Sequence, residues 1–187
     1  VRRIEAITAD KAEEFINNTY TSIREIEKLF KNNKNLLESV RLLVEENEGL
    51  KKETEKFAKE SLRLMKERLK NQKQVYNDVN VIVAQLAIPA PQVKDIAFQL
   101  KGEFDKVVFV AGGVVGGKPS LTVMISNNLA EELGLHAGQI VKEAAQEIKG
   151  GGGGQAFFAT AGGSDPDGIE RAIEKAKKLI MHKLNVD

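Results

Sequence analysis

The chain has 187 residues, which is enough for one or two domains with a buried core. It is 42% apolar and 29% charged, and its net charge of +1 neither requires nor excludes a nucleic-acid partner. The absence of cysteine excludes a disulfide framework, and no apolar run is long enough to span a membrane. No basic leader precedes an apolar stretch, so we expect a cytoplasmic protein.

The first eight residues, VRRIEAIT, alternate apolar and polar side chains as a strand does. No neighbouring segment offers this strand a pairing partner, and residue 1 is Val rather than Met. We therefore interpret residues 1–8 as the tail of an upstream domain.

Two helices are predicted next, because residues 10–74 contain no proline and a single glycine. Asp10 is placed to cap the first helix, with Glu13 three residues on as in a capping box. Apolar side chains then recur at helical spacing, at Phe15, Ile16, Tyr20, Ile23, Ile26 and Phe30. The asparagine-rich KNNKN at residues 31–35 predicts a turn into a second helix that ends near Asn71.

The second predicted helix carries one apolar seam with a seven-residue period, formed by Leu36, Leu43, Leu50, Phe57 and Leu64. The residues four positions after each seam residue begin with Val40 and are polar further along the helix. The sequence therefore supports a single apolar seam. Such a helix is roughly 57 Å long, and the shorter first helix covers only about half of it. We therefore expect the seam residues to mediate homodimerisation.

A basic stretch runs along the same helix from Lys51 to Lys73, with nine basic residues and four acidic ones. Such a stretch is typical of a solvated helix face, and it also suits contact with a phosphate backbone. The sequence leaves both interpretations open.

From residue 75 onward, short β-branched runs alternate with helical segments and glycines. The pattern predicts strands at residues 78–88, 105–112 and 120–126, and helices at about 89–100, 139–148 and 169–184. The AFFAT segment is predicted as a short strand or extended chain. The expected fold class is mixed α/β or α+β: a long, coiled-coil-like antiparallel helical hairpin over residues 9–74, then a small α/β globular domain over residues 75–187.

No residue cluster in the sequence predicts catalysis. His136 and His182 are far apart in the chain, and no cysteine is present to complete a zinc site, which needs several nitrogen or sulfur ligands. We place His136 in a loop before a helix that begins near Gln139, and His182 near the end of the last helix. The GGVVGG segment at residues 112–117 lacks the lysine–serine ending of a phosphate-binding loop and precedes a hairpin. We therefore expect no catalytic residue, metal site or cofactor in this chain.

A run of five glycines extends from Gly150 to Gly154. Glycine loses more chain entropy on folding than any other residue, so such a run opposes folding unless it has a use. Three uses are compatible with its position between a predicted helix and AFFATAGG. It is a slack tether or turn, a place where two chain segments pack closely, or a set of bare N–H groups that contacts an anionic ligand.

Three features, in this order, resemble the C-terminal portion of the alanyl-tRNA synthetase family. VRRIEAIT is similar to the closing strand of the editing module, and the long helical pair follows it. The segments KVVFVAGGVVGGKPSLTVMIS and HAGQIVKEAAQEIKGGGGGQAFFATAGG then resemble the DHH-associated α/β domain.

Two positions depart from the family pattern. Gln155 replaces a basic residue that is common there, and Thr160 replaces the glutamine of an Ala-Gln-x-Gly-Gly motif, so the roles of these two side chains stay open.

The resemblance implies a homodimer that binds the outer corner of tRNA(Ala) in support of alanine attachment and of editing of mischarged tRNA. It also implies that ATP and zinc belong to upstream domains of the parent ligase, so that this fragment is no enzyme by itself. The family's outer-corner contact would use phosphate attraction and base stacking. The residues expected to make it are Gly150, Gly151, Gly152, Gly153, Gly154, Phe157, Lys118 and Lys149. Phe158 is expected in the core instead.

Two rival classes stay open. The nucleic-acid-binding half of a DHH-family phosphoesterase shares the α/β domain, although the helical arm and RRIEAIT argue against it. A coiled-coil assembly module without an RNA role needs only the apolar seam. The reading frame upstream of Val1 distinguishes the ligase from the phosphoesterase, and tRNA titration distinguishes the ligase from the assembly module.

Overall fold

The computed structural model describes Arg2, residues 8–30 and residues 35–186. The chain forms two compact units, Val1–Ala58 and Lys59–Asp187. The predicted strand in VRRIEAIT lies outside the described residues, apart from Arg2 and Thr8. Within the described ranges, no helix combines the length and the apolar character that crossing a membrane requires.

The first two helices are α1, Asp10–Leu29, and α2, Leu36–Asn71. Helix α2 ends at Asn71, as predicted, and the boundary between the two units falls within it. The predicted cap by Asp10 is wrong, because Ala9 is the N-cap residue and no side chain caps α1. Asp10 is the first helical residue instead, where a negative charge is favoured by the helix dipole.

The second unit contains a six-stranded mixed sheet in the order β1-β2-β3-β4-β6-β5. Strands β2 and β3 are parallel, and every other neighbouring pair is antiparallel. This order makes β5 one edge of the sheet and β1 the other. The strands are β1 Gln74–Tyr76, β2 Val79–Gln85, β3 Val107–Val115, β4 Lys118–Ile125, β5 Gly151–Gly154 and β6 Phe158–Gly162.

All the described helices of this unit begin close to predicted positions except the short helix over residues 127–132, which was not predicted. They are α3 Ala90–Glu103, α4 Asn127–Glu132, α5 Ala137–Ala144 and α6 Ile169–Lys183. Helix α5 continues as a 3-10 turn over Ala145–Ile148, so the segment predicted as one helix is divided. Helix α3 carries Pro91 in its first turn, where a missing N–H group costs no intrahelical hydrogen bond.

Each face of the sheet has its own apolar core, because side chains alternate along a strand. On β4, Leu121 and Val123 face the core that α5 and α6 complete. Met124 faces the opposite core, which α3 completes and to which α2 adds Leu69. On this α3 side of the sheet, Thr160 of β6 is exposed. Helix α3 therefore covers the middle of the sheet and leaves the β6–β5 edge open.

Two N-terminal helices followed by a mixed sheet with helices confirm the predicted fold class. The number of strands differs, since the described residues form six where two or three were predicted. The three-residue strand β1, the short helix α4 and the all-glycine strand β5 were not predicted. A glycine run has no side-chain alternation from which a strand can be inferred.

Candidate nucleic-acid interface

The five-glycine run belongs to an ordered hairpin at the edge of the sheet. Strand β5 contains four of the glycines and pairs with β6 in antiparallel register. Residues 155–157 connect the two strands, and the Gln155 N–H donates to the Phe158 carbonyl oxygen at 2.9 Å. The regular pairing rules out the slack-tether interpretation and leaves close packing and ligand contact.

Close packing accounts for three of the five glycines. Cβ atoms built at Gly150, Gly152 and Gly154 would lie 2.1, 2.3 and 2.3 Å from carbonyl oxygens of β6. Only glycine therefore lets residues 150–154 approach β6 at these alternate positions. A Cβ atom at Gly151 or Gly153 would meet no atom within 4 Å.

The register defines an exposed area on the α3 side of the sheet. Gly153 lies opposite Thr160, and Gly151 lies opposite Gly162, so each pair shares one face. Strand β4 continues this face, because Ser120 lies opposite Gly162. We call this area the open strip, and all of its members except the half-buried Ser120 are exposed. It consists of Lys118, Ser120, Gly151, Gly153, Thr160 and Gly162.

Three phenylalanines and two lysines form an aromatic–lysine patch on the same side of the sheet. The rings of Phe98 and Phe158 have their centroids 5.2 Å apart. The Lys94 Nζ lies 5.9 Å from the centroid of each of these rings. The Lys101 Nζ lies 4.3 Å from the centroid of the Phe157 ring. Both ammonium groups are within the range of cation–π attraction.

The members of the patch differ in burial. Phe158 is half-buried against the α3 core, as expected for a core residue. Phe157 is half-buried at the hairpin turn, and Phe98 is 40% exposed. Partial burial lowers the pKa of Lys101, whose ammonium group also donates to Asn127 Oδ1 at 2.8 Å. The patch thus offers aromatic rings and positive charges together, which suits a nucleobase next to its phosphate.

The two lysines predicted as phosphate contacts lie in different environments. Lys118 is exposed in the open strip, and the described residues give it no ion pair. Lys149 lies just before β5 in a left-handed conformation, with a φ of 47°. Its ammonium group lies 3.2 Å from Asp165 Oδ2 and lowers the pKa of that carboxyl group by a hydrogen bond. Lys118 therefore has the more available charge.

The predicted dimer seam on α2 is exposed along most of its length. Leu43, Leu50, Phe57 and Leu64 are 52%, 55%, 66% and 57% exposed, and Leu36 is half-buried. The expectation that the first helix covers half of this seam is wrong, because no residue of α1 is buried. The apolar residues of α1 are themselves exposed, which leaves more apolar surface than predicted.

The basic stretch on α2 divides into a paired and an unpaired part. Lys66 and Lys70 each lie 2.7 Å from a carboxylate oxygen of Glu103 on α3, and their hydrogen bonds lower the pKa of Glu103. Arg63 lies 2.7 Å from Glu60 within α2. The described residues give Lys51, Lys52, Lys56 and Lys59 no ion pair. The later part of the stretch thus stabilises the second unit, and the earlier part is solvated.

The two histidines take separate positions. His136 is the N-cap residue of α5, so the helix begins closer to it than predicted. Its Nδ1 is buried, and the described residues give it no hydrogen bond. His182 lies in the last turn of α6, as expected. Throughout the described part of the chain, no group of three or more His, Cys, Asp or Glu residues is arranged to hold a metal ion.

Sequence reasoning missed the contribution of α3 to this interface. Lys94, Phe98 and Lys101 follow one another at the spacing of one helix flank. That spacing was present in the sequence, but only the packing of α3 on the sheet brings this flank to the β5–β6 hairpin, more than fifty residues further along the chain.

Comparison with known proteins shows which domain family the second unit matches. A family model described as the DHHA1 domain matches residues 78–182. The chain is 49% identical over 180 residues to an alanine–tRNA ligase of Bacteroides fragilis, covering 96% of this chain and 20% of that ligase. It is 41% identical over 182 residues to an alanine–tRNA ligase of Cytophaga hutchinsonii, covering 97% of this chain and 21% of that ligase. The chain thus spans about one fifth of the length of these relatives.

A solved structure has a similar fold. The crystal structure of the C-Ala domain from Aquifex aeolicus alanyl-tRNA synthetase superposes with a TM-score of 0.51. The two chains are 23% identical, and the match covers 60% of this chain and 97% of that domain. At this identity, the likeness establishes a shared fold.

Proposed function

The chain belongs to the DHHA1 domain family, and we propose that it is the part of an alanine–tRNA ligase that binds tRNA(Ala) and joins two subunits. The similarity to the ligases supports this proposal, because it extends beyond the family model over 96% of the chain. The chain spans about one fifth of the length of these ligases, so the proposal concerns one portion of such an enzyme.

The aromatic–lysine patch carries the tRNA-binding proposal. The Phe157 ring lies at the turn of a hairpin, where it is accessible to a base without unfolding of the sheet. Stacking of one base on an aromatic ring contributes about 1–3 kcal/mol to binding. Lys94 and Lys101 place positive charge beside the rings, and Lys118 adds charge from the open strip. Rings and cations together match a nucleic acid better than either alone.

The outer corner of a folded tRNA is the surface that we assign to this patch. It offers phosphate groups and a flat exposed base surface, which are the two chemical features that the patch recognises. Recognition of this kind uses shape and stacking, with no reading of base edges in a groove. We therefore propose that the contact anchors the tRNA while upstream domains of the ligase attach alanine and edit mischarged tRNA.

The exposed seam on α2 carries the dimerisation proposal. Burying a Leu or Phe side chain stabilises a protein by about 1.5–3 kcal/mol relative to leaving it exposed. Leu50 and Phe57 lie one heptad apart and are 55% and 66% exposed. Pairing of two such seams in a coiled coil removes both from water in each subunit. A second copy of the chain provides the matching seam.

Titration of tRNA(Ala) into the chain at several salt concentrations tests the tRNA-binding proposal. Replacing Lys94, Lys101 and Lys118 together with Gln should weaken binding most at low salt, because each lost phosphate contact reduces the salt dependence. A matched control replaces Lys142, Lys177 and Lys178 with Gln, since these lie on the helices of the other sheet face. Failure of the parent chain to bind tRNA at low salt contradicts the proposal. Dimerisation without tRNA binding would favour an assembly module.

A further inference from the structure

Strand β2 extends beyond its outer neighbour β1 and leaves part of its edge unpaired. The pairing with β1 stops at Val81, opposite Gln74, whereas β2 continues to Gln85. Successive residues of a strand direct their backbone N–H and C=O groups to opposite neighbours. The backbone groups of Val83 and Gln85 therefore point to the same side as those of Val81, where β1 no longer lies opposite them.

The hydrogen bonds on the other side of β2 agree with this orientation. The N–H groups of Asn80 and Leu86 donate toward β3, to carbonyl oxygens at 3.0 and 2.8 Å. The even-numbered positions of β2 thus pair with β3, and the N–H and C=O groups of Val83 and Gln85 face outward. The described residues give these outward groups no hydrogen-bond partner. An unpaired strand edge of this kind can accept a further peptide strand.

A cavity of about 350 Å³ lies beside this open edge, where the end of α2 approaches β2. Cavities that bind ligands measure about 300–1,000 Å³, so its size is sufficient for a binding site. Its apolar lining includes the buried Leu69 and Leu86 and the half-buried Met65. The unbranched methionine side chain adapts to apolar partners of different shape. The cavity can therefore receive an apolar side chain next to the strand edge.

The charge of the cavity is positive. Arg68 is exposed in its lining, and the described residues give this arginine no ion pair. No residue that lines the cavity is acidic. The neighbouring Lys66 and Lys70 differ, because Glu103 already pairs with both. A guanidinium group binds a carboxylate with two parallel hydrogen bonds, so the cavity favours an acidic occupant.

We propose that an extended, acidic segment of a protein chain binds here by adding a strand along residues 83–85 of β2. Its backbone pairs with the outward N–H and C=O groups of Val83 and Gln85, one apolar side chain packs against Met65, and one carboxylate binds Arg68. The edge alternates donors and acceptors, which a peptide backbone complements and a sugar–phosphate backbone does not. The site lies toward the β1 edge of the sheet and is separate from the β5–β6 hairpin at the other edge.

Peptide titration followed by NMR of the backbone amides tests this site. The probe is an N-acetylated, C-amidated pentapeptide of alternating valine and glutamate, and its counterpart with lysine in place of glutamate is the charge control. The glutamate peptide should shift the amide signals of Val83 and Gln85. The lysine peptide should bind about fivefold more weakly, because it places a like charge beside Arg68.

Two pairs of variants separate the backbone contact from the charge contact. Gln85→Pro removes the outward N–H group, and Gln85→Ala is its matched control because it removes the side chain and keeps that group. Gln85→Pro should bind the glutamate peptide about three- to tenfold more weakly than Gln85→Ala, as expected for one hydrogen bond. Proline is tolerated where a strand N–H faces outward, so the melting temperature should change little. Arg68→Gln should weaken binding about two- to fivefold, with Arg63→Gln, outside the cavity, as its control.

The outcomes distinguish the parts of the proposal. Equal peptide affinity of Gln85→Pro and Gln85→Ala overturns strand addition, and equal affinity for the two peptides overturns the acidic occupant. The absence of amide shifts at Val83 and Gln85 with millimolar glutamate peptide overturns the site as a whole. An oligoribonucleotide that shifts these signals when the peptide does not would assign the edge to RNA, which also overturns it. If Gln85→Pro fails to fold, the position of the shifted signals and the Arg68→Gln variant decide.

Discussion

The ammonium group of Lys101 lies 4.3 Å from the centre of the Phe157 ring, and this contact joins helix α3 to the turn of the glycine hairpin. Asn127 holds the same ammonium group at 2.8 Å, so the lysine is fixed from two sides. The ring at the hairpin turn is thereby positioned before any ligand arrives. A preorganised ring loses less conformational entropy on binding than a mobile one.

Phe157→Ala should weaken tRNA binding by a factor of about 5 to 150, the loss expected for one stacked base. The loss should persist at every salt concentration, because stacking is not an ionic contact. The melting temperature should change little, since Phe157 lies half-buried at a turn. Phe158→Ala provides the contrast. Its ring packs against the α3 core, so that variant should lower the melting temperature. Normal tRNA affinity of a folded Phe157→Ala chain would place the stacking contact elsewhere.

Lys118→Gln should reduce the slope of log affinity against log salt by about one unit, as expected for one lost phosphate contact. Lys149→Gln should reduce the slope less, because the Lys149 ammonium group is already 3.2 Å from the Asp165 carboxylate. Binding isotherms of the two variants at matched salt concentrations measure the difference. A larger reduction for Lys149 than for Lys118 would mean that tRNA displaces Asp165, contrary to this prediction.

Replacing Leu50 and Phe57 together with Ser should dissociate the proposed dimer into monomers. Both side chains are exposed in the single chain and lie on one seam of α2, so the loss removes apolar area from the proposed interface of each subunit. Sedimentation velocity over a concentration series measures the shift. Asn47→Ser with Thr54→Ser is the matched control, because these positions share the seven-residue spacing on the polar line of the helix. A parent chain that is monomeric at high micromolar concentration would contradict the dimer.

Glu103→Gln should lower the melting temperature near neutral pH and make progressively less difference as the solution is acidified. Hydrogen bonds from Lys66 and Lys70 hold the pKa of Glu103 below its ordinary value of 4.5. A depressed pKa stabilises the fold above the unfolded-state pKa, and this stabilisation is lost as the pH falls through the folded-state value.

Thermal denaturation across the acidic range measures this convergence of Glu103→Gln with the parent. Glu67→Gln is the matched control, since the described residues give Glu67 a single ion pair, with Lys70 at 3.3 Å. Glu67→Gln should lower the melting temperature less than Glu103→Gln does. A constant difference between Glu103→Gln and the parent at all pH values would mean that the ion pairs do not cause it.

The sequence by itself determined the elements whose signals are local. The heptad on α2 and the absence of proline placed its end at Asn71, and the β-branched runs located β2, β3 and β4. The resemblance to the alanyl-tRNA synthetase family also came from local segments, and the match to the ligases agrees with it. Periodicity and motifs are properties of residues close together in the chain, so they can be recognised in the sequence without knowledge of the fold.

Only the tertiary structure determined how the glycine run pairs in the sheet and which side chains lie close to its hairpin. A run without side chains has no period, so its pairing with β6 and the difference between Gly152 and Gly153 exist only once β6 lies beside it. The same holds for Lys101 and Phe157, which the packing of α3 on the sheet brings together across 56 residues of chain. Contacts between distant segments depend on the geometry of the packed core, and no local pattern encodes that geometry.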